Sequence, residues 1–202
     1  MGSLDYHRTV VAYHGCDRAT LRAVLDGRPL ENSERSYDWL GRGVYFWEHG
    51  PRRAFEWAQE KARRGDGVVK NPAVLGAYIH LGQCFDLLDT ENTALLREAY
   101  PKFVAFRENN GLAVPQNREV RGHESGERTL RYLDCAMINW FVDDMAPLGN
   151  AIQTVRGAFT EGGPCFPGSE LMSKTHIQLA VRDHSCIIGY FRPQSLTIGA
   201  DD

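Results

Sequence analysis

Hydrophobic and polar positions divide the chain into stretches of period two and stretches of helical period. Thr9 to Gly15 reads as a first strand ending at glycine, and Asp17 is placed to cap a helix carrying Leu21, Val24 and Leu25, closed by Gly27. Residues 28 to 38 are polar and loop-like, and they deliver the chain to Trp39-Leu40-Gly41-Arg42-Gly43-Val44-Tyr45-Phe46-Trp47-Glu48. Val44 to Trp47 favour a strand, in which Val44 and Phe46 face one way and Tyr45 and Trp47 the other. Gly41 and Gly43 permit a backbone approach that a Cβ would block. Gly50-Pro51 ends the strand, and Pro51 opens a helix with Ala54, Ala58 and Ala62 on one stripe beside Phe55, broken at Gly65-Asp66-Gly67.

Farther on, Ala73 to Leu88 predicts two strand pieces around a turn at Gly82-Gln83. Thr90 to Phe106 is helical, with Leu95, Leu96, Ala99 and Phe103 on one side. Asn109 to Glu127 predicts an exposed loop, and Arg128 to Val142 a second helix carrying Leu130, Leu133, Ile138 and Phe141. Ala158 to Ser173 is again loop. Thr175 to Arg182 predicts a strand with Ile177, Leu179 and Val181 on the core side and His176, Gln178 and Arg182 on the other, and Cys186 to Phe191 a final strand. Strands at both ends around a helical middle section predict an α+β fold, and the length predicts one domain over residues 1–202.

Composition narrows the function classes. The chain is 43% hydrophobic and 24% charged with a formal net charge of −3, which gives no overall pull toward nucleic acid or an anionic membrane. Arg52, Arg53, Lys61, Arg63 and Arg64 form a local basic cluster, read either as a solvated helix face or as a patch acting within a Debye length. No apolar run is long enough to span a bilayer, and no charged-then-apolar leader opens the chain. The five cysteines are scattered without C-x-x-C spacing, which argues against a zinc site or a disulfide framework and fits a reduced cytoplasm.

Three strands carry polar groups suited to chemistry: His14 before Gly15, Tyr45 after Gly43, and Gln178. Each alone also reads as an ordinary satisfied histidine, a core tyrosine or a solvent-facing amide. Phosphate-cradling glycine motifs are absent, the histidines lack metal-ligand spacing, and Cys16, two residues from His14, has no nucleophile signature around it.

Taken together, Tyr13-His14-Gly15 and Gly41-Arg42-Gly43-Val44-Tyr45-Phe46 resemble the H-G and G-K-G-I-Y-F motifs of the ADP-ribosyltransferase superfamily, in its poly(ADP-ribose) polymerase-like, His-Tyr-Glu branch. Ala54 falls where that family has a helix alanine, and Ile177 to Phe191 resembles its last strand pair. Small bacterial transferase-like proteins sharing segments of the form DWLGxGVYFWE and THIQxAVR are also similar. The resemblance implies a split β-sheet core and NAD+ as substrate, with no metal. It implies an NAD+ site built by Tyr13, His14, Gly15, Gly43, Tyr45 and His176, with the nicotinamide against Gly15 and stacked on Tyr45, and the adenine-side ribose hydrogen-bonded to His14.

The chain departs from the family at Gln178, which stands where the resemblance places a glutamate; Glu161 or Glu170 could supply the carboxylate instead. Arg53 takes the position of a helix serine. What is implied is a mono-ADP-ribosyltransferase with His14, Tyr45, Gln178 and Glu161 as catalytic residues, acting on a protein or nucleic acid, RNA included. Roles as a bacterial toxin or antiviral effector, with an antitoxin or inhibitor protein as partner, belong to the same expectation. The alternatives are a non-catalytic NAD+ or ADP-ribose binding module and an NAD+ glycohydrolase.

Overall fold

The computed structural model describes residues 5–65, 67–119, 130–145, 149 and 151–194. It is a mixed α+β protein. Among the described residues, six strands form one sheet and four helices pack on it.

β1 (Asp5–Asp17) is longer than the alternating stretch predicts and runs directly into α1 (Arg18–Leu25). Asp17 makes that junction. One carboxylate oxygen caps the helix through the Ala19 N–H at 2.8 Å, and the other accepts from the Lys70 and Asn71 N–H groups at 2.8 and 2.7 Å. β2 (Val44–Glu48) and α2 (Pro51–Arg64) follow as expected, with Pro51 in the first turn of α2 and Gly65 left-handed at its end.

β3 (Pro72–Asp86) corrects the prediction of two strand pieces. Gly82 takes a positive φ of 55°, which only bends the strand, so the chain passes through without turning. α3 (Thr90–Asn109) and α4 (Tyr132–Met145) supply the helical middle section. Arg128, the predicted start of α4, lies outside the described residues, and Leu130, predicted in the helix, instead forms an isolated bridge with Arg118. β4 (Thr154–Phe159) was not predicted, and it takes the first two residues of the stretch read as loop from Ala158. β5 (His176–Val181) and β6 (Ile187–Phe191) complete the sheet.

The pairings run in a circuit from β1 to β2, β5, β4, β3 and back to β1. β6 and β4 divide the second edge of β3 between them: β6 pairs with Gly76–Ile79 and β4 with Cys84–Asp86. β1 and β2 are joined only at Ala12–Glu48 and Tyr13–Trp47. Beyond that point the two strands part, and this split creates the cleft described below.

Alternation along the strands sorts the core. Val44, Phe46, Leu179 and Val181 join Ala12, Leu75 and Ile79 in one cluster, with Leu21 and Val24 of α1 packed on it. Tyr45 and Ala180, on the opposite faces of their strands, join Phe85, Val155 and the apolar side of α4. α2 seals a third cluster over Trp47 and Val74.

Two glycines make this packing feasible. A Cβ on Gly15 would overlap the Ala54 carbonyl of α2, and one on Gly43 would sit 2.8 Å from the Val181 carbonyl of β5. At Gly15 the small residue lets a helix down onto a strand; at Gly43, where φ is 151°, it lets two strands close up.

Buried charge closes the circuit between β2, β3 and β4. Arg156 binds Glu48 through Nε at 2.6 Å and Asp86 through Nη1 at 2.9 Å, and all three side chains are at least nine-tenths buried. No helix among the described residues is long and apolar enough to cross a membrane.

Candidate functional site

Where β1 and β2 part, a cleft of about 1130 Å³ opens. α1 and the loop from Arg28 to Trp39 form one wall, α2 the other, and the segment at Glu161–Gly163 an end.

His14 lies just past the last β1–β2 pair and spans the gap. Its Nδ1 is 2.8 Å from the Tyr45 carbonyl oxygen. A carbonyl can only accept, so Nδ1 carries the proton and Nε2 keeps a lone pair. Burial lowers the pKa of this ring, which keeps it neutral at pH 7. The cleft thus receives a hydrogen-bond acceptor suited to a hydroxyl donor.

Tyr45 is fixed at both ends. Its backbone lies in β2, and its hydroxyl donates to the Gly41 carbonyl at 2.7 Å while accepting from the Leu40 N–H at 3.0 Å. Burial holds the phenol well above its ordinary pKa, so it acts as a rigid neutral ring. Asn139 of α4 braces the same turn by accepting from the Arg42 N–H at 2.9 Å.

Gln178 faces Trp39. The indole N–H of Trp39 donates to Gln178 Oε1 at 2.6 Å, a contact between residues 139 positions apart. Trp39 itself fits because Gly157 leaves room; a Cβ there would lie 2.7 Å from its ring. With Oε1 engaged, the amide offers its N–H groups. Glu161 also lines the cleft, but its carboxylate is paired with Arg53 Nη2 at 2.9 Å. Glu170 is exposed and is not among the lining residues.

Among the residues expected at the site, the fold brings His14, Gly43, Tyr45, Gln178 and Glu161 to one cleft. Tyr13, Gly15 and His176 do not line it. Tyr13 packs edge-on against Phe191 at 6.0 Å, and Gly15 lies under α2. His176 bonds the Lys174 carbonyl at 2.6 Å and leans on Phe159 and Trp47.

Further residues line the cleft beyond those expected at the site. Trp39, Trp47 and Trp57 add broad aromatic surface. Of the basic cluster, Arg53, Lys61, Arg63 and Arg64 line the cleft; Arg53 is also buried, and its Nε and Nη1 have no hydrogen-bond partner among the described residues. The lining holds seven Arg and Lys side chains against four Asp and Glu, a local cationic excess in a chain whose net charge is −3. Helical spacing alone could have placed these residues on one face of α2, but not what that face meets.

A thiol nucleophile is disfavoured: burial pushes Cys16 up to about 12, leaving an inert thiol beside His14. Among the described residues, no group of three or more His, Cys, Asp or Glu side chains is arranged to hold a metal ion.

Part of the chain is similar to a curated protein. The uncharacterized protein MJ0359 of Methanocaldococcus jannaschii is 30% identical over 90 residues, which make up 44% of this chain and 42% of that protein. The match covers less than half the length of that relative. No family model matches the chain, and no solved structure does.

The two lowered histidines set a pH dependence. His176 is lowered by burial and by the nearby Arg53 charge, against Glu161 and the Lys174 carbonyl. Below the ordinary value of 6.5, the unfolded chain takes up protons that the native chain refuses at His14 and His176. Stability is therefore complete above that value and falls as pH drops through it toward the lowered native values. Thermal unfolding should give a lower Tm at about pH 5.5 than at about pH 7.5, with His14→Gln narrowing the difference.

Proposed function

We propose that the chain is an NAD+-dependent mono-ADP-ribosyltransferase with a split-sheet core of the ADP-ribosyltransferase type. The observation that carries this reading is the meeting of a neutral His14 acceptor, a rigid Tyr45 ring and Gly43 on the floor of one cationic cleft. The aromatic surfaces suit flat rings, and the arginines and lysines suit a pyrophosphate. Nicotinamide stacks on Tyr45, and a hydroxyl of the adenine-side ribose donates to His14 Nε2. The fixed ring holds the nicotinamide–ribose bond at one place, and departure of neutral nicotinamide leaves an oxocarbenium-like ribose for the acceptor to attack.

Gln178 contributes orientation without charge, held in place by Trp39. Lacking a carboxylate there costs a factor of roughly 10² to 10³ in stabilising the cationic ribose, which favours single transfer over polymer elongation. The acceptor is a macromolecule, protein or nucleic acid, and a toxin or antiviral role with a neutralising partner fits such chemistry.

The test is incubation of the pure chain with labelled NAD+ and lysate, with and without nuclease. Label on a macromolecule supports transfer, and its nuclease sensitivity tells RNA or DNA from protein. Nicotinamide release without labelled macromolecule points to glycohydrolysis. The neutral amide at Gln178 supports one other reading, a non-catalytic NAD+-binding module. Tight binding in calorimetry without turnover would establish that alternative.

A further inference from the structure

With Gln178 uncharged and the Glu161 carboxylate met by Arg53, one more acid in the cleft stands out. Asp38 lines it, immediately before Trp39 in the chain. Its place is set by the backbone: its N–H donates to the Arg35 carbonyl at 3.2 Å, and its carbonyl accepts from the Gly41 N–H at 2.8 Å. Reciprocal bonds between Ser33 and Gly43, at 2.9 and 3.1 Å, clip the two ends of this loop together. Yet Asp38 Oδ2 is buried and has no hydrogen-bond partner among the described residues. An orphaned carboxylate oxygen is stabilised by gaining a proton, a property of no use to packing but of direct use to catalysis.

We propose that Asp38 is the general base of the transfer, taking the proton from the nucleophilic O–H or N–H of the acceptor. This role rests on the transferase reading above. In the step, the C1′–N bond of NAD+ breaks and its electron pair goes to the nicotinamide nitrogen, cancelling the pyridinium charge. The acceptor's lone pair forms the new bond to C1′, its proton passes to the Asp38 carboxylate, and water later removes it. Burial raises the Asp38 carboxyl above the ordinary aspartate range, while the Ser33 hydroxyl and the Arg35 and Lys61 cations oppose the rise. Tyr45 and Cys135, both held protonated, are the titratable neighbours on its other sides. A carboxylate so raised is a stronger base than a free aspartate.

The experiment measures label transfer from NAD+ to lysate acceptors by the full chain, with binding read separately by calorimetry. Asp38→Asn should lose transfer by about 10²-fold or more while binding NAD+ as the wild type does. Asp38→Ala should regain part of the loss with added formate, a response that a merely structural role does not produce. The acid limb of the wild-type pH profile should vanish from the residual rate of Asp38→Asn. Wild-type transfer rates in Asp38→Asn, or no formate response in a folded Asp38→Ala, overturn the role of Asp38 alone. A folded wild type that neither releases nicotinamide nor transfers label overturns the transferase reading, and this role with it.

Discussion

His14→Ala should reduce nicotinamide release and label transfer at least about 100-fold, because the adenine-side ribose loses the acceptor that anchors NAD+ in the cleft. The loss should come without unfolding. Among the described residues His14 makes one side-chain hydrogen bond, to the Tyr45 carbonyl at 2.8 Å, and removing it costs only about 1 kcal/mol. A rate assay beside a thermal melt separates these effects; a wild-type rate in the variant removes His14 from the site. Tyr45→Ala is a poorer probe. Tyr45 packs against the cluster containing Phe85 and Val155, and truncating a ring in such a place costs roughly 3–5 kcal/mol. Tyr45→Phe is cleaner: the stacking face remains, while the Leu40 N–H and Gly41 carbonyl lose their partner, at a cost of about 1–3 kcal/mol.

Arg156→Met should destabilise the chain strongly. Glu48 and Asp86 would be left facing each other at the closure of the sheet circuit, buried and without their shared cation. Breaking a buried ion group from one side costs about 3–5 kcal/mol, which corresponds to a fall in Tm of roughly 6–20 °C for a chain of this size. The triple replacement Arg156→Met, Glu48→Leu, Asp86→Leu should recover much of that loss, since apolar groups of similar volume carry no desolvation penalty. Melts of the single and triple variants check this. Equal stability of Arg156→Met and wild type contradicts the closure role.

Residues near one another in the chain made much of the fold legible. The Asp17 cap, the Val44–Trp47 alternation, Pro51 and the Ala54–Ala58 stripe each state their element locally, and each element formed as read. β4 was missed because Arg156 and Gly157 break its apolar pattern, and both are explained only by distant partners: the buried carboxylates for Arg156, the Trp39 ring for Gly157. Gly82-Gln83 looked like a turn because a glycine with positive φ serves a bend as well as a reversal.

The site divides the same way. His14 and Tyr45 could be singled out from local motifs. Trp39's hold on Gln178, the Arg53 pairing that occupies Glu161, and the orphaned Asp38 oxygen depend on contacts that period and spacing do not encode. Gly15 shows the converse: the motif glycine stands out in the sequence, and its nearest neighbour proves to be the helix backbone at Ala54.

The most direct measurement is chromatography of nicotinamide released from NAD+ by the full chain, run beside His14→Ala at matched Tm. Release by the wild type and its loss in His14→Ala are the expected result. A folded wild-type chain that leaves NAD+ intact, or equal release by the two proteins, contradicts the assignment of this cleft.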